Sequence, residues 1–186
     1  MKKESVMAKF GFKEITPANL LERDPVLIGF VKLSSNGQSR ILTIDDYLSY
    51  IFTPCLLEVV PRDVQALFEV ARGAMAYGYF FYPLFTLAME QLFRVAEAAV
   101  AHKYTALGAP KSTRNFKGRI DRLVDEGIIP RAEVGLWDAI RELRNMASHP
   151  ERQMVGLPNM AIGILERVAS QINSLFNSKP IQPDTE

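Results

Sequence analysis

The stretch "PLFTLAMEQLFRVAEAAV" (residues 83–100) decides the fold class. Its apolar side chains recur at the three- and four-residue spacing of one helix face: Phe85, Met89, Leu92, Phe93, Ala96 and Val100. A stripe this wide predicts a long helix against a core, continuing to about Lys103. Pro83 either opens this helix or kinks a longer one.

Four more helices are expected around it. After Pro61, which suits a first helical position, apolar residues repeat at i, i+3, i+4 and i+7: Val64, Leu67, Phe68 and Ala71. A third helix is expected from about Thr113 to Glu126, with Phe116 in the core and Gly127 as its stop. Helices of this length with short joints predict a mainly α fold, an up-and-down bundle of four to five helices.

The last two helices complete this pattern. The fourth is expected to start near Pro130, with Leu136, Ile140, Leu143 and Ala147 on one side and Trp137 as core filling by default. The last is expected to bury six apolar side chains: Met160, Ile164, Leu165, Val168, Ile172 and Leu175. The bundle then spans residues 61–178, and residues 179–186 are expected to be a disordered tail.

Residues 1–60 form a different region, an N-terminal extension. Two β-like runs, Val26–Leu33 and Arg40–Ile44, flank Asn36-Gly37, which is typical of a hairpin with a type I′ turn. A short helix is expected from about Ile44 to Phe52, capped by Thr43 or Asp45. This region lacks the residues of an active site, so it is interpreted as an accessory cover or an interaction edge.

Composition narrows the classes of function. The chain has 186 residues and a formal net charge of +1, so one domain is expected and any nucleic-acid contact requires a local basic patch. Cys55 is the only cysteine, which excludes an intrachain disulfide and a cysteine-based zinc site. The uncharged run 73–89 is broken by Pro83, so no membrane span is expected. With a charged N-terminus that lacks a signal-peptide core, the sequence predicts a cytoplasmic protein.

The segment "ELRNMASHPE" (residues 142–151) is the candidate site. Pro150 disfavours the α conformation for His149, so the helix should end at about Ser148 and the imidazole can fold back toward Arg144. Arginine holds phosphate oxygens through a bidentate fork, and histidine moves protons near neutral pH. The alternative is structural, because cations near a helix C-terminus stabilise its dipole by roughly 0.3–1 kcal/mol.

The segment "IDRLVDEGIIPRAEVGLWDAIRELRNMASHPE" (residues 120–151) resembles the HEPN superfamily of helical-bundle domains. Members carry an arginine, often an asparagine, and then a histidine at the end of a late bundle helix, and Arg144, Asn145 and His149 match those positions. The resemblance covers about residues 61–176. It implies RNA cleavage without a metal or other cofactor: His149 would assist proton transfer at the ribose 2′-hydroxyl, Arg144 would steady the phosphate, and Asn145 would orient the pair or contact the phosphate.

The resemblance also implies partners. HEPN active sites are often shared across a homodimer, with two motifs facing one cleft. Many members are instead non-catalytic nucleotide-binding or protein-interaction modules, and an antitoxin or another regulatory protein of a toxin–antitoxin or defence system is a further implied partner. Both classes of function stay open at this point.

Other charged residues have two interpretations each. Glu90, Arg94 and Glu97 share a helix face, either as solvated ion pairs or with Glu90 pointing inward to hold Arg144. Four basic residues are candidates for phosphate-backbone contacts or form a solvated helix face: Lys111, Arg114, Lys117 and Arg119. His102, near a helix C-terminus, is interpreted as a surface residue that stabilises the dipole.

Overall fold

The computed structural model describes residues 11–33, 36–108, 115–149 and 156–178. Within these ranges the protein is mainly α, with one two-stranded sheet. The α-helices, in chain order, are α1 (Ile44–Phe52), α2 (Arg62–Tyr77), α3 (Leu84–Ala106), α4 (Phe116–Asp125), α5 (Val134–Ala147) and α6 (Pro158–Asn177). The predicted helical bundle and the small hairpin that precedes it are both confirmed. The predicted tail, 179–186, lies outside the described residues.

Helix α3 is the centre of the bundle and packs against α2, α4, α5 and α6. The six residues of its predicted stripe are all fully buried. Pro83 directly precedes the helix, and a turn separates it from Tyr77, the last residue of α2. The proline therefore opens a new helix, and the uncharged run 73–89 is divided between two helices. No helix in the described ranges is long and apolar enough to cross a membrane.

The helix ends follow local chemistry. The Asn115 side chain accepts a hydrogen bond from the Gly118 amide, at 2.7 Å, and begins α4 three residues later than predicted. Gly127 ends this segment with φ of 68°, a left-handed conformation that glycine adopts without strain. Pro61 precedes α2 and is not its first residue. In the fourth segment, a 3₁₀ turn at Arg131–Glu133 leads into α5.

The core contains most of the predicted side chains. Phe116 and Trp137 are buried, as expected. Met160 is 48% exposed, so its predicted burial is wrong. The buried face of α6 is centred on Ala161, Leu165 and Val168, and one residue on a helix turns about 100°. Met160 is therefore rotated away from the core toward the edge of that face.

The extension contains the predicted hairpin with shorter strands, β1 (Val31–Leu33) and β2 (Ser39–Ile41), paired antiparallel. Val26 lies instead in a 3₁₀ turn, Pro25–Leu27. The predicted type I′ turn is wrong, because Gly37 has φ of 80° but Asn36 has no positive φ. Thr43 caps α1, as one of the two alternatives predicted.

The hairpin turns its charged side chains toward α1. Lys32 and Arg40 lie opposite each other and both bind the Asp46 carboxylate, with Lys32 Nζ 2.7 Å from its Oδ1. Hydrogen bonds from Arg40, then Lys32 and Thr43, hold the pKa of Asp46 well below its usual range. Three apolar side chains of the hairpin are exposed: Val31, Leu33 and Ile41.

Polar contacts also attach the extension to the bundle. The buried Arg72 of α2 donates to the Phe52 carbonyl at the end of α1, at 3.0 Å. Asp24, 1% exposed, accepts a hydrogen bond from the Tyr82 amide at 2.8 Å. The Tyr47 hydroxyl donates to the Met75 carbonyl. These contacts fix the extension beside the turn between α2 and α3.

Candidate functional site

The end of α5 lies where the sequence predicted it. Ala147 is the last helical residue, and the Ser148 hydroxyl donates to the Arg144 carbonyl at 3.0 Å. The His149 amide donates to the Met146 carbonyl at 3.1 Å, which closes the final turn. His149 is thus the second residue after the helix, at the point where the chain must leave it before Pro150.

Arg144 is held by a carboxylate of the central helix. Its guanidinium lies 3.0 Å from the Glu97 Oε2, and its Nη1 lies 3.4 Å from the Asn145 side-chain oxygen. The Arg144 side chain is 40% exposed and that of Glu97 is 26% exposed, so this ion pair lies at the surface of the α3–α5 contact. Glu97 therefore pairs with Arg144, the role that one of the two sequence interpretations gave to Glu90.

A cavity of about 180 Å³ opens beside Arg144. Its lining residues come from α3 and from the end of α5: Glu90, Phe93, Arg94, Arg144, Ala147 and Ser148. Phe93 is fully buried and forms an apolar wall, whereas the two arginines and Glu90 supply charge. The sequence placed Glu90 and Arg94 on one helix face, and the structure directs that face to this cavity.

His149 stands apart from the cavity. Its side chain is exposed, and it is absent from the residues that line the cavity, although its neighbour Ser148 is among them. One chain therefore brings Arg144, Asn145 and the cavity together, with His149 at their edge. The predicted fold-back of the imidazole onto Arg144 stays a prediction.

Comparison with known proteins gives one family. A family model described as "Domain of unknown function (DUF4145)" matches residues 74–178, more than half of the chain. The chain belongs to this family. No curated protein and no solved structure matches it. The DUF4145 region begins near the end of α2 and finishes just after α6, so it contains α3, α5 and the Arg144 cavity but not the extension.

The four basic residues predicted as candidates for phosphate-backbone contacts lie in the DUF4145 region, and the structure describes two of them. Lys111 and Arg114 lie outside the described residues. Lys117 lies 2.7 Å from Asp121 and 3.5 Å from Asp138, and the hydrogen bond to Asp121 raises the pKa of the lysine. Arg119 is partly buried on the same helix. Because Asp138 precedes Arg144 by six residues, about 9 Å along a helix, Lys117 lies toward the opposite end of α5.

The second histidine is a surface residue, as the sequence indicated. The His102 Nε2 lies 2.5 Å from the Asp63 Oδ2, and this contact joins α3 to the first turn of α2. Both side chains are substantially exposed, at 41% and 65%. Substitution of His102 is therefore a suitable control for substitution of His149.

A second cavity lies between the extension and α6. It has a volume of about 340 Å³ and is lined mostly by apolar and aromatic side chains, among them Phe30, Tyr47, Tyr50 and Ile162, with Glu166 at one side. No local pattern in the sequence predicts this cavity, because its walls come from segments more than a hundred residues apart. Only the packing of the extension on α6 creates it.

Proposed function

We propose that this protein is a metal-independent endoribonuclease of the HEPN type, with Arg144, Asn145 and His149 as its catalytic residues. The observation that carries the proposal is the position of Arg144. Its guanidinium is oriented by Glu97 at the wall of a charged cavity, and His149 follows where α5 ends. A guanidinium that can bind phosphate oxygens and an imidazole that can accept or donate a proton then lie on one short segment.

The proposed reaction is attack of a ribose 2′-hydroxyl on the adjacent phosphorus. The 2′-oxygen forms a bond to phosphorus as the bond to the 5′-oxygen breaks. One group removes the 2′-hydroxyl proton, and another delivers a proton to the leaving 5′-oxygen. Arg144 stabilises the charge that develops on the phosphoryl oxygens. The products are a 2′,3′-cyclic phosphate and a 5′-hydroxyl.

Two proton transfers need two proton-transfer groups, and the segment at the end of α5 supplies one histidine. A homodimer with two copies of residues 144–149 facing one cleft supplies both, and C₂ symmetry is the commonest arrangement of two identical chains. The exposure of His149 supports this proposal, because the side chain is accessible from outside its own chain. RNA is then the substrate, and a second copy completes the site.

The test is cleavage of a labelled single-stranded RNA in EDTA. We expect His149→Ala and Arg144→Ala each to lower the rate roughly 10²- to 10⁴-fold, since each removes a group that acts in the transition state. His102→Ala and Arg122→Ala are the matched controls, because both residues are exposed in ion pairs on other helices. Both controls should cleave at the wild-type rate. A 2′-deoxy nucleotide at the cleaved position should block the reaction.

Three outcomes would contradict the proposal. Loss of activity in EDTA would indicate a metal-dependent nuclease. Unchanged cleavage in both Arg144 and His149 variants would place the activity elsewhere. A monomer by light scattering at micromolar concentration, with full activity, would exclude a site shared between two copies.

A second candidate is a non-catalytic nucleotide-binding or protein-interaction module, as part of a toxin–antitoxin or defence system with an antitoxin or other regulatory partner. The observation that favours it is the exposed apolar surface of the extension, since such surface is typical of protein contacts. Nucleotide binding by a wild-type protein that cleaves no RNA would support this candidate over the nuclease.

A further inference from the structure

The Arg144 cavity has a second arginine. Arg94 lies on α3, is exposed, and lines the same cavity of about 180 Å³. It forms no ion pair or hydrogen bond with any residue that the structure describes, whereas Arg144 is paired with Glu97. The arginine whose charge is not neutralised in an ion pair is therefore Arg94, which lies on α3 and outside the motif at the end of α5.

Glu90 is the third charged residue that lines the cavity. It precedes Arg94 by four residues, the spacing at which glutamate and arginine commonly pair on a helix. In the described residues the two side chains form no ion pair, and both line the cavity instead. The cavity is thus lined by two arginines and by one glutamate that pairs with no residue the structure describes, and Glu97 binds Arg144.

The size of the cavity suits one phosphate group. A water molecule occupies about 30 Å³ of the liquid, so about 180 Å³ holds a phosphate with some of its waters. The fully buried Phe93 closes one side and lowers the local dielectric, which strengthens the attraction between an anion and the two arginines.

We propose that Arg94 and Arg144 hold one phosphodiester between them, and that Glu90 discriminates against phosphates with two negative charges. A phosphodiester inside a nucleic-acid chain carries one charge, whereas a terminal phosphate carries roughly −1.5 to −2 at neutral pH. Arg144 is paired with Glu97, so Arg94 supplies most of the attraction for a single negative charge, and the Glu90 carboxylate repels each further negative charge. The cavity therefore selects internal over terminal phosphates. The biological meaning of this selectivity rests on the proposed endoribonuclease function.

The test measures binding without cleavage. The probe is a fluorescent 2′-O-methyl oligonucleotide, which cannot react through its 2′-oxygen, titrated by anisotropy at several salt concentrations. Arg94→Gln should weaken binding roughly tenfold, as expected for loss of a hydrogen bond to a charged group. It should also reduce the slope of log K against log salt by about 0.7, the value for one phosphate contact on a single strand. Arg122→Gln, on α4, should change neither.

Glu90 is tested by competition. A dinucleoside monophosphate, which has one internal diester, should displace the probe from the wild type better than a nucleoside 5′-monophosphate does. Glu90→Gln should reduce or reverse that preference by strengthening the binding of the nucleoside 5′-monophosphate. Arg94→Lys should keep the salt slope of probe binding and lose part of the affinity.

The outcomes separate this inference from the nuclease. If the wild type cleaves no RNA but Arg94→Gln reduces the salt slope of binding, the phosphate site is supported and the proposed nuclease function is overturned. Cleavage that depends on Arg144 and His149, with Arg94→Gln unchanged in affinity and slope, overturns the inference and leaves the nuclease in place. A wild-type protein that does not bind the probe also overturns it. Circular dichroism of each variant shows that folding is intact.

Discussion

The bundle turns its apolar side chains inward, whereas the hairpin of the extension turns its apolar side chains outward. In the bundle, the apolar faces of four helices meet around α3, and ion pairs such as Arg144–Glu97 lie at the surface. In the extension, the hairpin directs Lys32 and Arg40 inward to Asp46 and leaves Val31, Leu33 and Ile41 exposed. Of 21 large apolar side chains exposed in the described residues, 14 lie before residue 61.

The difference indicates two sources of stability in one chain. Burial of apolar surface stabilises the bundle by roughly 25 cal/mol per Å² and does not depend on pH. The extension adds polar contacts at Asp24, Asp46 and Arg72 to the apolar side chains it buries, and these contacts depend on ionisation and on geometry. Apolar surface left exposed in this way is typical of a region that contacts another molecule.

The largest effect is expected from a core substitution in the bundle. Leu92 of α3 is fully buried, so Leu92→Ala should lower the free energy of unfolding by about 2–5 kcal/mol through lost burial and a new cavity. Leu87, on the same helix, is 56% exposed, and Leu87→Ala should stay within about 0.5 kcal/mol of the wild type. Denaturant unfolding of both variants measures the difference. Equal losses would mean that α3 is not the buried centre.

Loss of one carboxylate should have the next largest effect, and it should fall on the extension. Asp46→Asn removes the group that binds Lys32, Arg40 and the cap residue Thr43, so the hairpin should loosen while the bundle stays folded. Faster amide hydrogen exchange in residues 36–52, with unchanged exchange in α3, is the expected result. Uniform exchange across both regions would show that they unfold as one unit.

The same carboxylate predicts a pH dependence. Its pKa in the folded protein lies well below the value of about 3.9 for an unfolded aspartate. A group with a lowered pKa stabilises the fold above its unfolded pKa, and that stabilisation is lost as pH falls through the folded value. The protection of the hairpin amides, measured against the intrinsic exchange rate at the same pH, should therefore decrease in the wild type as pH falls below about 4. Asp46→Asn should show a flatter profile.

Much of the fold was predictable because helix periodicity and helix ends are local properties. The stripe on α3, the stop at Gly127 and the end of α5 before Pro150 follow from neighbouring residues. The orientation of the hairpin did not follow, since its alternating pattern is satisfied with either face toward α1. The ion pairs of Asp46 with Lys32 and Arg40 determine the orientation of the hairpin. Nothing local in the strands indicates which helix will supply that carboxylate.

The candidate site shows the same limit. The sequence placed Glu90 and Glu97 on one helix face, but the position of α5 along α3 determines which of them reaches Arg144. The two carboxylates are seven residues apart, about 10 Å on a helix, and only tertiary packing resolves that difference. The position of Arg94 beside Arg144 was not predicted for the same reason, because it depends on a contact between two helices.

A smaller effect is expected from the ion pair at the candidate site. Both side chains of Arg144–Glu97 are partly exposed to solvent, so Glu97→Gln should lower the free energy of unfolding by about 1 kcal/mol or less. Glu126→Gln, which loses the exposed pair with Arg122 on α4, is the matched variant and should cost a similar amount. Thermal unfolding at low and high salt measures both. A loss several times larger for Glu97 would mean that this pair supports the α3–α5 contact itself.

The smallest effect on stability is expected at the outward face of the hairpin. Leu33 is 73% exposed, so Leu33→Ser removes little buried surface and should stay within about 0.5 kcal/mol of the wild type. The measurement is thermal unfolding at several protein concentrations, because a contact between two copies makes stability depend on concentration. No change at any concentration means that the face is exposed in the isolated protein and free for another partner. A loss that grows with protein concentration means that a second copy covers the hairpin, and the apolar surface of the extension is then an interface between two copies of this chain.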